Sequence, residues 1–268
     1  MTRATELGTV PRVLYIGAGL AVALLVLPLL GLLGRVHWAT LLQDAASPAA
    51  LQALGLSLLT ALIATALCLL IGVPLALVIA RSSARTAGWL RALVTIPLVL
   101  PPMVGGIALL FLLGRNGAVG VLLAGVGIRL PFSTAAVVIA QAFVALPFLV
   151  LAIEGTMRSL GTGYEHVAGT LGAGRWTTFR RITLPLAAPG LVAGTVLCFA
   201  RALGEFGATA IFAGNAEGVT RTMPLAIYTA FNGAGVSQGT AIALSLLLLV
   251  VAVLLLVLVR GWRAGATR

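Results

Sequence analysis

Long apolar runs alternate along this chain with short segments that hold most of its charge. A helix needs about 20 apolar residues to cross a bilayer core of about 30 Å. Six runs qualify, at approximately 13–34, 51–80, 93–113, 134–153, 189–212 and 237–259. The first outlasts the apolar core of a secretory signal and reads as a retained helix. The pattern predicts an all-α integral membrane protein with six transmembrane helices, a single domain over residues 1–268.

Charge sets the orientation, because arginine and lysine concentrate on the cytoplasmic side of membrane helices. With a cytoplasmic N-terminus, the inner segments hold Arg3, Arg12, Arg81, Arg85, Arg91, Arg158, Arg175, Arg180, Arg181, Arg260, Arg263 and Arg268. The outer loops hold Arg35, Arg115, Arg129 and Arg221, and Arg201 lies within the fifth run. Twelve against four places both termini in the cytoplasm. Trp38, Trp89, Trp176 and Trp262 lie near run ends, as interfacial anchors do.

Composition narrows the chemistry. The chain is 60% hydrophobic and 9% charged, with a mean hydropathy of +1.15, far from the range of soluble domains. A water-soluble enzyme is excluded. The net charge of +11 comes from arginines in gaps between apolar runs, which speaks for membrane orientation and against nucleic acid. No lysine occurs, so the G-x-x-x-x-G-K-[ST] phosphate loop cannot form. Cys68 and Cys198 read as buried free thiols. They and two histidines, His37 and His166, offer no metal site. Gly235-Val236-Ser237-Gln238-Gly239 matches a serine-nucleophile pattern by chance, without its strand–turn–helix context. No catalytic residue is assigned.

The third run is irregular. Pro97, Pro101 and Pro102 are followed by Gly105 and Gly106. Such a segment kinks or breaks, and broken backbone at membrane depth survives only where protein or a water-filled cavity covers it. It lines a translocation path or serves as a packing kink. After the Asn116-Gly117 turn, residues 118–131 read as a short re-entrant or interfacial helix.

The longest inner loop covers about 155–188. A short helix starts near Tyr164 and stops at Gly172 and Gly174, with Val167 and Leu171 on one face. A second, through Trp176, Phe179, Arg180 and Ile182, is expected to end before Pro185. This helix–glycine turn–helix has an apolar knob and a basic flank. It docks a partner or lies on anionic lipid.

These residues resemble a family. Gly172, nine residues, then Ile182-Thr183-Leu184-Pro185 reproduces the G-x9-I-x-L-P half of the E-A-A motif of ABC importer permeases. Ala168 matches the motif's second alanine; His166 and Val167 replace its glutamate and first alanine, and Glu165 stands one place early. The stretch 199–209 (F-A-R-A-L-G-E-F-G-A-T) resembles the fifth helix of permeases for tetrahedral oxyanions, the molybdate and sulfate group. Leu113-Gly-Arg-Asn-Gly117 and the run 218–228 look more like the molybdate branch.

The resemblance implies a type I ABC importer permease fold. The loop becomes a coupling helix seated in a separate ATPase, with Glu165, His166, Val167, Ala168, Leu171, Gly172, Arg175 and Trp176 at the contact. It implies a homodimer of permease subunits, two ATP-binding cassette subunits that carry ATP and Mg, and a periplasmic or lipid-anchored oxyanion-binding protein. This chain would hold no cofactor. The location implied is a bacterial or archaeal cell (inner) membrane, multi-pass, in contact with lipid. Sulfate or tungstate is the alternative cargo.

Arg201 and Glu205, spaced i, i+4, can pair on a helix face. Ionisable groups inside a membrane mark a pathway or a partner contact. With Pro101, Pro102 and Gly105 they form the candidate translocation path or gate; the alternative is a structural pair that locks packing. Gly190 and Gly194 form a G-x-x-x-G packing pattern. A stand-alone secondary transporter is the competing class; the scarcity of membrane carboxylates for ion coupling stands against it.

Overall fold

The computed structural model describes residues 12–233 and 237–266. Arg3, Arg268, Gly235 and Val236, and the side chains of Arg12, Arg260, Trp262 and Arg263, lie outside what is described. Among the described residues the chain is all helix and turn, with no strand.

The bundle is built on three long helices: α3 (Pro48–Arg81), α7 (Thr134–Leu160) and α10 (Leu184–Leu203). Ser47 and Ser133 start α3 and α7 by accepting the Ala50 and Ala136 amides, satisfying donors a helix start leaves free. The helices meet through small residues. A Cβ at Gly194 would sit 3.1 Å from Ala152 Cβ, and one at Gly190 would sit 2.7 Å from Thr156 Cβ. On α3, a Cβ at Gly72 would reach Leu146 at 2.8 Å. The G-x-x-x-G pattern is therefore the seam between α10 and α7, where backbones approach too closely for side chains. Cys68 and Cys198 are free and fully buried in the same core.

α1 (Arg12–Gly34) stands apart, with no part of its apolar span buried. A short α2 (Leu41–Ala45) leads into α3. α13 (Gln238–Ala266) returns along α12 (Met223–Phe231), α2 and α10. Among the described residues, four helices are long and apolar enough to cross a membrane, or five if one bent pair is a single span.

Two expected spans are not single helices. The run 93–113 divides into α4 (Ala84–Val99) and α5 (Pro102–Leu113), which meet at 109°. Leu100, placed before Pro101, is extended at ψ 136°, because a proline's ring clashes with a helical predecessor. Pro102 then begins α5, where a missing N–H costs nothing. The run 189–212 also divides: α10 ends at Leu203, and α11 (Gly207–Phe212) follows a three-residue break. Beyond α5, the stretch 118–131 contributes α6 (Ala118–Gly125), only eight residues long.

The boundary expected before Pro185 is absent. α9 (Arg175–Thr178) passes through a π-turn at Phe179–Thr183 directly into α10, giving a continuous helical stretch Arg175–Leu203. Wider i→i+5 turns accommodate local disruption of the helical ladder, and the π-turn stands immediately before Leu184-Pro185, where the proline's missing N–H interrupts that ladder.

Candidate functional site: an exposed elbow and a junction of broken helices

The elbow is α8 (Gly163–Thr170) followed by α9 and the π-turn. Gly172 closes α8 at φ +83°. Its N–H donates to the Gly169 carbonyl and the Ala173 N–H to Ala168, both at 3.0 Å. This pair of reverse bonds is a Schellman cap, which needs a left-handed residue. A side chain there would cost about 1–2 kcal/mol. The glycine in the sequence motif is thus a backbone requirement.

The elbow's outer face is apolar. Tyr164, Val167, Leu171 and Trp176 are 61%, 60%, 82% and 72% exposed, and His166, Arg175, Arg180 and Arg181 are exposed beside them. Trp176 lies against Phe179 with ring centroids 5.3 Å apart. A cleft of about 780 Å³ lies between α8 and the π-turn, lined by Tyr164, Val167, Leu171 and Ile182 among others.

Two expected contact residues turn inward instead. Ala168 is buried. Glu165 accepts hydrogen bonds from Arg81 Nη2 at 2.8 Å and from Thr183 Oγ1 at 2.7 Å. Arg81 also donates to the Met157 carbonyl at 3.5 Å, so it touches α7 and α8 from the end of α3. A second carboxylate, Glu154, lies close by on α7, almost fully buried. It accepts from Arg91 Nε at 3.1 Å and from Arg158 at 3.3 Å, pinning α4 to α7.

Burial works to raise the pKa of Glu165, but hydrogen bonds from Arg81 and Thr183, then the charges of Arg81 and His166, bring it below the ordinary glutamate value. The unfolded carboxylate titrates at about 4.3. A lowered folded value means the contact contributes stability above that pH and loses it as pH falls through the folded pKa. The hydrogen-exchange protection of residues 163–170, taken relative to the unstructured exchange rate at each pH, is therefore expected to stay high from neutrality down through the ordinary carboxylate range and to fall below it. Protection lost well above that range would contradict the assignment.

The second constellation lies where the two broken helices meet. α11 packs on α5: a Cβ at Gly106 would fall 2.8 Å from the Ala208 carbonyl oxygen, and one at Gly207 would fall 3.0 Å from Pro102 Cβ. Gly105 fits against the ring of Phe143. Arg201 is in the last turn of α10, and Glu205 is in the break beyond Gly204. The pair expected on one helix face is present, with Nη2–Oε2 at 2.6 Å, but it spans a helix end. Glu205 is fully buried while the Arg201 side chain keeps 25% exposure. Glu205 Oε1 accepts the Ala208 N–H at 2.7 Å and so caps α11. Pro101, Pro102 and Gly105 thus border the same junction that Arg201 and Glu205 approach from α10.

Sequence reading missed Arg81, Arg91 and Thr183. Arg81 and Arg91 counted only as charges that set orientation, and Arg81 is 84 residues from Glu165. Thr183 is the free position of I-x-L-P, where nothing in the motif asks for a hydroxyl. Gln141, Thr209 and Thr222 were also passed over; they are buried, with side-chain polar atoms that have no partner among the described residues.

Comparison with known proteins gives consistent matches. The family described as "Binding-protein-dependent transport system inner membrane component" matches residues 72–263. The molybdenum transport system permease protein ModB of Mycobacterium tuberculosis is 50% identical over 236 residues, covering 88% of each chain. ModB of Escherichia coli is 42% identical over 191 residues, 71% of this chain and 83% of that one. A bacterial ABC transporter involved in the import of the acidic polysaccharide alginate shares the fold, with TM-score 0.67, 19% identity and 96% of both chains covered. The MetNI methionine ABC transporter does so at TM-score 0.62 and 18% identity, over 81% of this chain and 96% of that one. With a matching family pattern over most of its length, close relatives that are transport permeases and a shared fold, the chain belongs to the binding-protein-dependent transport system inner membrane components.

Proposed function

We propose that this chain is the membrane-spanning permease subunit of an ATP-driven importer, and that its cargo is the tetrahedral oxyanion molybdate. The observation that carries the coupling part is the elbow. It is a capped, apolar, arginine-flanked projection on a chain that has no lysine for a phosphate loop. The molybdate assignment rests on the named relatives, at up to 50% identity.

In this reading the chain crosses a bacterial or archaeal cell membrane six times, with both termini and the elbow in the cytoplasm. α13 and the α4–α5 pair count as spans alongside the four long helices, and the arginine distribution supports the orientation. Two copies pair around a common path. The unburied α1 supports such pairing, since none of its apolar span is buried among the described residues. Each elbow seats Val167, Leu171 and Trp176 in an ATPase subunit that binds ATP and Mg, and a binding protein delivers the anion from outside.

The physical task of the elbow is to pass on a preference. ATP-bound ATPase subunits favour one arrangement of the two elbows; the permease population follows only as far as that differential affinity reaches. At the junction of broken helices, Arg201 supplies the positive charge a dianion requires. Glu205 neutralises it, so passage is not halted by a tight complex. Pro101, Pro102 and Gly105 supply the hinge.

The test is uptake of radiolabelled molybdate by vesicles that hold the permease with its ATPase and binding protein. ATP-dependent accumulation is expected, suppressed by tungstate. Preference for sulfate overturns the cargo assignment, and accumulation by the permease alone overturns the coupling.

A further inference from the structure

We propose that Arg81, Glu165 and Thr183 form a joint that transmits the elbow's movement to the membrane helices, and that Glu165 is a positioning residue with no contact to the ATPase. The proposal rests on the coupling reading given above.

The elbow is tied to the bundle at few points. α8 itself packs only lightly, on α9 and the π-turn, and Ala168 alone among its residues is buried. Its side-chain ion pair is Glu165 with Arg81, at 2.8 Å. Arg81 is the last residue of α3, a helix of 34 residues that packs against α7, α10 and α12. The second oxygen-bound partner of Glu165, Thr183, closes the π-turn at the threshold of α10. One carboxylate thus gathers the end of α3, the elbow and the start of α10.

The geometry also makes the joint sensitive. Both ion-pair partners are mostly buried, with side-chain exposures of 25% and 19%. Arg81 Nε is buried without a partner among the described residues, and the guanidinium is held there by its Nη atoms. A buried charge that loses its partner is strongly penalised. The elbow therefore cannot move away from α3 cheaply, and displacement of α8 draws α3 and α10 with it. Tyr164 and Val167 of α8 and Leu171 just after it are exposed, while Glu165 turns to Arg81 and Thr183. Docking and transmission are thus assigned to different side chains of one elbow.

The experiment uses the assembled permease–ATPase complex in vesicles. The variants are Glu165→Gln, Thr183→Val, and the exchange of Arg81→Glu with Glu165→Arg. Three quantities are read: copurified ATPase, molybdate imported per ATP hydrolysed, and the ATP-driven change in distance between spin labels at Leu51→Cys in the two copies. The last does not depend on the cargo. E165Q is expected to retain the ATPase in wild-type proportion, to import at least about fivefold less per ATP, and to lose at least half of the distance change. T183V is expected to fall between it and the wild type, and the exchanged pair to recover most of the loss.

Wild-type import per ATP and a full distance change in E165Q would overturn the joint. Loss of ATPase from E165Q would overturn it too, because Glu165 would then be a docking contact. Failure of every variant, the exchange included, to assemble would likewise overturn it, since a transmitting joint is not required for docking. A wild-type complex that shows the distance change without importing molybdate marks a failure of the cargo reading and leaves the joint to be judged on the distances.

Discussion

Replacing Leu171 with Asp and Trp176 with Ala together is expected to release the ATPase from the permease, cutting copurification more than about tenfold and uptake to background. These side chains are 82% and 72% exposed, so they contribute little to the chain's own core. Surface substitutions of that kind typically change stability by less than about 0.5 kcal/mol. In an interface the balance reverses: aromatic anchors in a partner's pocket carry about 2 kcal/mol or more each, and a carboxylate placed in an apolar groove adds the cost of desolvating a charge. Copurification and uptake, with a melting curve of the permease as control, check the outcome. An intact complex would remove the elbow from the ATPase contact and leave it lying on lipid.

The second large effect is expected at Arg201 and Glu205. Arg201→Ala leaves the fully buried Glu205 without its counter-charge. Removing one member of a buried pair costs about 3–5 kcal/mol, so this variant is expected to lose folded protein as well as transport. Glu205→Ala also removes the acceptor of the Ala208 N–H and frees the start of α11. The informative variant is the double change Arg201→Gln with Glu205→Gln. It removes both charges and leaves an amide oxygen at position 205 to accept the Ala208 N–H, so assembly is expected to survive while molybdate uptake falls about tenfold or more. Uptake at the wild-type level in that assembled protein would make the pair a packing device outside the path.

The two constellations were legible to different degrees. The elbow's glycine turn could be read directly, because a local rule governs it: the chain turns back at Gly172 through bonds to residues three and five positions away. The apolar face of Val167 and Leu171 followed from the same helical spacing. The inward turn of Glu165 could not be read, because its partners are on α3 and in the π-turn. Spacing within a segment says which side chains share a face, and nothing about which face meets the bundle. The continuity of α9 with α10 was hidden by a rule that holds for ordinary helices and yields at a π-turn.

The junction was half visible. Three prolines announced the break between α4 and α5, but its 109° angle was set by how α5 lies on α11 and α7. The break after Leu203 had only Gly204 to signal it, and apolar content on both sides masked it.

Hydropathy, arginine placement and the absence of lysine determined from sequence alone that this is a helical membrane protein without its own phosphate loop. Those properties are sums over residues and need no partner. The tertiary structure alone decided that Glu165 faces Arg81, that Glu205 caps α11 beside Arg201, and that two broken helices share one junction. Each is a meeting of residues on separate helical elements, and such meetings are fixed only when close packing selects one arrangement.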